Sequence, residues 1–236
     1  RGLYAGTLKI VAANDCVTQH MPGLSEFDGI IVGSGVDMLF TYDTEGKHAV
    51  EIEAPSNLLE YIKVRVKDGK LTVELDKDQL IEGQARVKVK VNNDALKSVV
   101  HNGSGDVMLN GGVQGVELSV LITGAGSVYA DGLDFRKVKL SIMGTGDMKA
   151  ENVRCDELNA SLSGTGNMLL DGNAIKAGYS VKGEGNIYAH ALQAVEVNAR
   201  TAKGGKIECY ASQRLSTGSS AAGSVVNSAR PEIVGK

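Results

Sequence analysis

The sequence predicts an all-β protein: a parallel, right-handed β-helix of about 20-residue coils with an N-terminal cap of mixed or antiparallel strands. Three observations predict it. A G-x-G motif recurs at near-constant spacing in the second half of the chain. Apolar residues around each motif fall at every second position. A hairpin pattern stands within the first ninety residues.

In chain order, residues 1–26, including "AANDCVTQHMPG", show no clean period and are expected to form an extended lead-in. Residues 27–95 read as short strands bounded by turn signals: "GIIVGSGVDMLFTY", "HAVEIEAP", "YIKVRVKDGKLTVELD" and "ARVKVKVN". In the third, Asp68-Gly69 separates the alternating sets Ile62, Val64, Val66 and Leu71, Val73, Leu75, which is a hairpin signature. Pro55 breaks the chain before it, and "PSNLLEYI" suits one short helical turn. This portion is expected to be antiparallel or mixed and to cap the open end of the solenoid, since an uncovered terminal coil recruits other strands.

Residues 96–236 carry the repeats. "GSGDV" begins at Gly103, "GAGSV" at Gly124, "GTGDM" at Gly144, "GTGNM" at Gly164 and "GEGNI" at Gly183, with a degenerate "KGGKI" at Lys203. Counting from the first glycine, position +4 reads Val107, Val128, Met148, Met168, Ile187, Ile207, and +6 reads Leu109, Ala130, Ala150, Leu170, Ala189, Cys209. Positions −2, −4 and −6 are mostly apolar as well, with Thr201 and His101 at −2, while −1, −3 and −5 are mostly Ser, Thr, Asn, Lys and Gly. Two strands per repeat in constant order cannot close a core alone. Stacking equivalent strands at the roughly 4.8 Å strand spacing does close one.

The glycines are expected at corners, where the chain needs positive φ or close backbone approach. The column after each motif, Asp106, Ser127, Asp147, Asn167, Asn186, Lys206, offers short side chains able to bond the turn backbone and one another. Asn110-Gly111, Asp131-Gly132 and Asp171-Gly172 mark a second corner. A phosphate-binding glycine loop would open a helix, whereas a period-2 strand follows here each time. A calcium-binding solenoid has a shorter repeat and paired carboxylates; only Asp106 and Asp147 of this column are acidic.

At "FDGIIVGSGVDMLFTYD", then "LLEYIKVRVKDGKLTVELDK", then "LKSVVHNGSGDV" and the G-x-G ladder, the sequence resembles the auto-transporter adhesin head GIN family, common in Bacteroidetes. The resemblance spans Phe27 to about Lys236. It implies an exported β-helical protein of the periplasm or cell surface with an adhesion role, and it carries over no catalytic residue. The last copy departs from the pattern at Lys203, as does "STGSSAAGSVVNSARPEIVG".

A formal charge of −3 with no basic stripe argues against a nucleic-acid partner. No apolar run is long enough for a membrane span, and the opening at Arg1 without a signal-type segment is expected of a mature or trimmed product. Cys16, Cys155 and Cys209 have neither disulfide nor zinc spacing, and Cys209 falls in the inward +6 column. His20, His48, His101 and His190 stand at unrelated phases, with His101 at an inward position, so a structural role is expected rather than a metal site. No cofactor is expected.

Glu184, Arg200, Lys203, Lys206 and Glu208 supply carboxylates and bases of the kind a polysaccharide-degrading β-helix uses, and equally suit a soluble solenoid end. The outward +5 column is less ordinary. It reads Met108, Tyr129, Lys149, Leu169, Tyr188, Glu208, so Met108, Tyr129, Leu169 and Tyr188 are expected to form a ligand or partner surface, a homo-oligomer seam, or an internal packing face. Three functions follow: a non-enzymatic envelope module binding a glycan or surface protein, a self-assembling structural module, and a polysaccharide-degrading enzyme.

Overall fold

The computed structural model describes residues 9–46, 48–76, 80–82, 86–229 and 233–235. Of the expected lead-in, residues 1–8 lie outside the described residues, as do 230–232 and 236 near the last copy. Nineteen strands follow one another among the described residues. They are β1 (Lys9–Val11), β2 (Val17–His20), β3 (Gly29–Val32), β4 (Val36–Tyr42), β5 (Ala49–Ala54), β6 (Ile62–Lys67), β7 (Lys70–Leu75), β8 (Leu80–Glu82), β9 (Val87–Asn93) and β10 (Ser98–His101). Then come β11 (Asp106–Asn110), β12 (Val113–Ile122), β13 (Ser127–Ile142), β14 (Met148–Leu162), β15 (Met168–Val181), β16 (Asn186–Thr201), β17 (Lys206–Ser216), β18 (Val225–Asn227) and β19 (Ile233–Gly235). The one helical turn among the described residues, a 3₁₀ segment at Ser56–Tyr61, falls where Pro55 placed it.

From β12 to β17 each strand pairs in parallel with its equivalent one coil away, so Val128 lies beside Met148, Met148 beside Met168, and Met168 beside Ile187. This is the β-solenoid the repeat spacing predicts, with its +4 and +6 columns buried from end to end. The coil has one more bend than the repeats revealed. In β13, Leu133 and Phe135 point inward after the Asp131-Gly132 corner, and then Arg136 and Lys137 are both exposed, which breaks the alternation. The ladder skips the same place, passing from Phe135–Cys155 to Lys137–Glu157. Each coil therefore has three sides rather than two strands: a first face after the G-x-G, a short middle face, and a third face leading back to the next G-x-G.

The middle face has its own inward column. Phe135 stands between Gly115 and Cys155, and a Cβ on Gly115 would meet the Phe135 ring at 2.8 Å. Large and small residues alternate between coils elsewhere too: Tyr179 is buried between Ala160 and Ala199.

The G-x-G corners are filled by backbone. A Cβ on Gly146 would lie 1.9 Å from the Gly126 carbonyl oxygen, so one coil's glycines seat directly on the next coil's and leave no cradle for a phosphate. Beside them the polar column forms a hydrogen-bonded ladder. The Asn167 N–H donates to Asp147 Oδ1 at 2.8 Å, the Asn186 N–H to Asn167 Oδ1 at 2.9 Å, and the Lys206 N–H to Asn186 Oδ1 at 3.0 Å. At the second corner Asn152 takes a φ of 53° where the preceding coil has Gly132 at 84°. It donates through Nδ2 to Asp131 Oδ1 at 2.7 Å and through its N–H to Asp171 Oδ1 at 2.6 Å.

At the N-terminal end the stacking order leaves sequence order. On the first face β11 pairs in parallel with β4, and β4 with β9; on the third face β10 pairs with β3, and β3 with β7. Gly33-Ser34-Gly35 is thus a further corner, shifted by one residue, with Ser34 at a φ of 55° under Gly103. Antiparallel strands finish this end: β6 on β7 through the Asp68-Gly69 hairpin, β5 on β9, and β2 on β5. At the other end the short β18 and β19 cover β17.

Candidate binding surfaces

The third face carries a groove. Next to the loop 94–97 it opens to about 870 Å³ and continues through recesses of about 410 and 350 Å³ toward β17. Neighbouring recesses share residues: Lys139, Glu157 and Asn159 join the first two, and Lys176, Ala177 and Asn198 the last two. Three outward columns form its floor, because every second residue of each rung points away from the core. One column runs Ser119, Lys139, Asn159, Gly178, Asn198, Ser216, and another Leu121, Ser141, Ser161, Ser180, Arg200.

The remaining column alternates in charge from rung to rung: Glu117, Lys137, Glu157, Lys176, Glu196, Arg214. Among the described residues, none of these six closes an ion pair. Two groove side chains are steadied within their own rung: Asn159 Nδ2 donates to Glu157 Oε1 at 3.2 Å, and Arg200 Nε donates to Asn198 Oδ1 at 3.2 Å. The Ser and Asn columns are the polar −3 and −5 positions of the repeats, whereas the charge column was not among the positions expected to matter. Its signal stands at position −7 of the repeats, one place outside the inward −6 column.

The expected +5 surface lies on the first face. Met108 pairs with Tyr129 and Leu169 with Tyr188, while Lys149 separates the two pairs. Met108, Tyr129 and Leu169 are 44%, 38% and 43% exposed, and Tyr188 is half-buried. Leu39 below Met108 and Val226 beyond Glu208 extend the stripe. Lys149 binds Glu151 at 2.8 Å, and that carboxylate raises its pKa.

The other candidates separate. Arg200 faces the groove, Glu208 lies in the +5 column with its Oε2 3.2 Å from His190 Nδ1, and Glu184 and Lys203 are exposed at the G-x-G corner. His101 is fully buried, its Nε2 2.5 Å from the Gly105 carbonyl oxygen and its Nδ1 3.3 Å from that of Val32. His48 bonds Asn93, and His20 is exposed on β2. Cys155 and Cys209 are buried free thiols pushed up by desolvation to about 12 and about 11, while Cys16 is exposed. Among the described residues no three His, Cys, Asp or Glu gather as a metal site, and no helix is long and apolar enough to cross a membrane.

The architecture is shared with solved structures. One described as a putative lipid binding protein from Parabacteroides distasonis is 22% identical, with a TM-score of 0.83 over 97% of this chain and 95% of that one. A putative adhesin from Bacteroides fragilis is 26% identical, with a TM-score of 0.72 over 95% and 94%. A putative adhesin from Parabacteroides distasonis is 19% identical, with a TM-score of 0.81 over 96% and 98%. No curated protein matches. The family described as "Putative auto-transporter adhesin, head GIN domain" matches residues 26–231, almost the whole of the solenoid and its capping strands, and the chain belongs to that family.

Proposed function

We propose that the chain is a non-enzymatic binding module of the cell envelope, periplasmic or surface-exposed, which takes an extended glycan or protein in the third-face groove. The family description and the adhesin names of its structural neighbours support binding over catalysis. The observation that carries the reading is the continuity of the groove over successive rungs, floored by hydroxyls, amides and charges on a rigid sheet. A ladder of evenly spaced rungs suits a partner that is itself a linear repeat.

The test is a blocked groove. A Cβ on Gly178 meets only the Asn159 side-chain oxygen at 2.6 Å, a group able to swing aside, so Gly178→Trp fills the floor without moving backbone. The wild-type chain is expected to bind members of a glycan and surface-protein array and the variant to lose them at unchanged thermal stability. Retained binding would overturn the reading.

The exposed +5 stripe favours a second reading, self-association through Met108, Tyr129, Leu169 and Tyr188. Light scattering over a range of concentrations tests it. Replacing Tyr129 and Tyr188 by Ser is expected to lower the apparent mass, and an unchanged mass removes this reading.

A further inference from the structure

The charge ladder narrows what the groove takes, in a step that rests on the groove being the binding surface. We propose that its ligand is an extended anionic polysaccharide in which a charged sugar alternates with an uncharged one, lying along the solenoid axis.

The argument starts from spacing. Lys137, Lys176 and Arg214 occupy every second rung of one column, with Glu157 and Glu196 between them. At the strand spacing of about 4.8 Å, successive cations stand about 9.6 Å apart. That is close to the length of a disaccharide unit in an extended pyranose chain. A carboxylate or sulfate on alternate sugars meets a cation each time, and the sugars between present hydroxyls to the glutamates. A chain charged on every sugar would instead set like charges against Glu157 and Glu196.

Balance points the same way. In the middle recess Lys139, Lys176 and Arg200 face a single carboxylate, Glu157, and Asn159 already occupies one of its oxygens. A net positive patch on a chain of charge −3 is local complementarity to an anion. Arg200 keeps its outer nitrogens for a ligand, since the described bond to Asn198 uses Nε alone. The rungs beneath are paired on both sides, so this face has no free strand edge on which a peptide could add as another strand.

The experiment titrates the full chain, by calorimetry, with three probes. They are an oligosaccharide of alternating glucuronate and N-acetylglucosamine, an oligogalacturonate charged on every sugar, and a neutral cello-oligosaccharide. The alternating probe is expected to bind most tightly and to weaken as salt is raised. Lys176→Ala should cost about tenfold in affinity, and the paired Lys139→Ala, Arg200→Ala variant a similar factor. Exchanging Glu157→Lys with Lys176→Glu keeps net charge and breaks alternation, so it should abolish preference for the alternating probe. Equal or tighter binding of the neutral or fully charged probe overturns the proposal, as does indifference to Lys176→Ala. If Gly178→Trp blocks a neutral glycan or a protein instead, the groove stands and the anionic assignment falls. Binding of the alternating probe that survives Gly178→Trp sinks the groove itself.

Discussion

Gly164 sits on Gly144 so closely that a Cβ on the upper residue would lie 1.8 Å from the lower carbonyl oxygen. Backbone cannot yield there without parting two coils, so Gly164→Ala is expected to destabilise by roughly 1–3 kcal/mol. Gly204, with nothing within 4 Å of its added Cβ, is the matched control. Gly204→Ala should stay within about 0.5 kcal/mol of the parent. Urea unfolding of both decides whether the corner glycines are demanded by contact.

The corner ladder has a separate cost. Asn167 Oδ1 accepts the Asn186 N–H at 2.9 Å and its Nδ2 at 3.3 Å. Asn167→Ala removes that acceptor and should cost about 0.5–1.5 kcal/mol. Asn167→Asp keeps the acceptor and should recover most of the loss when unfolding midpoints are compared.

Tyr179 presents a buried hydroxyl with no hydrogen-bond partner among the described residues. Deleting only that oxygen, in Tyr179→Phe, should raise stability by about 1 kcal/mol, because desolvation of the hydroxyl is relieved while the ring is kept. Tyr179→Ala should lose about 3–5 kcal/mol. Calorimetric melting of the pair separates ring from hydroxyl.

The two buried thiols set an alkaline limit. Their folded pKa values, about 12 for Cys155 and about 11 for Cys209, stand above the ordinary 9.0. Above pH 9 the unfolded chain releases thiol protons that the folded chain holds, so stability falls with rising pH in the window from 9 to about 12 and is complete below it. Replacing both cysteines by Ala should flatten that fall. A thiol reagent at neutral pH should label Cys16 alone in the folded chain and all three cysteines in urea.

The repeats were legible because stacking forces the same side-chain demand at every coil: the +4 column must fill the core and the G-x-G must let backbones touch. The middle face was not legible from the same signal. One of its inward columns, Phe135, Cys155 and Ala174, shares little beyond being buried, since only volume summed across neighbouring coils is constrained there. The corner Gly33-Ser34-Gly35 escaped notice because it is one residue out of phase with its neighbour, and the strands around it precede the repeats in sequence. The +5 residues were legible as outward and apolar, yet the groove was not, because its floor is polar like any solvated strand. Only the order of charges across rungs distinguishes it.

The place of β3 and β4 has a consequence for how the molecule assembles. They lie between β7 and β9 on one side and β10 and β11 on the other, so the earliest of these segments to be synthesised is walled in by later ones. A nascent polypeptide cannot lay this end down tier by tier as it lengthens. Residues 29–42 must keep one edge unpaired until some seventy more have emerged, which leaves the N-terminal end exposed to misassembly and makes it a place where a chaperone's hold would matter.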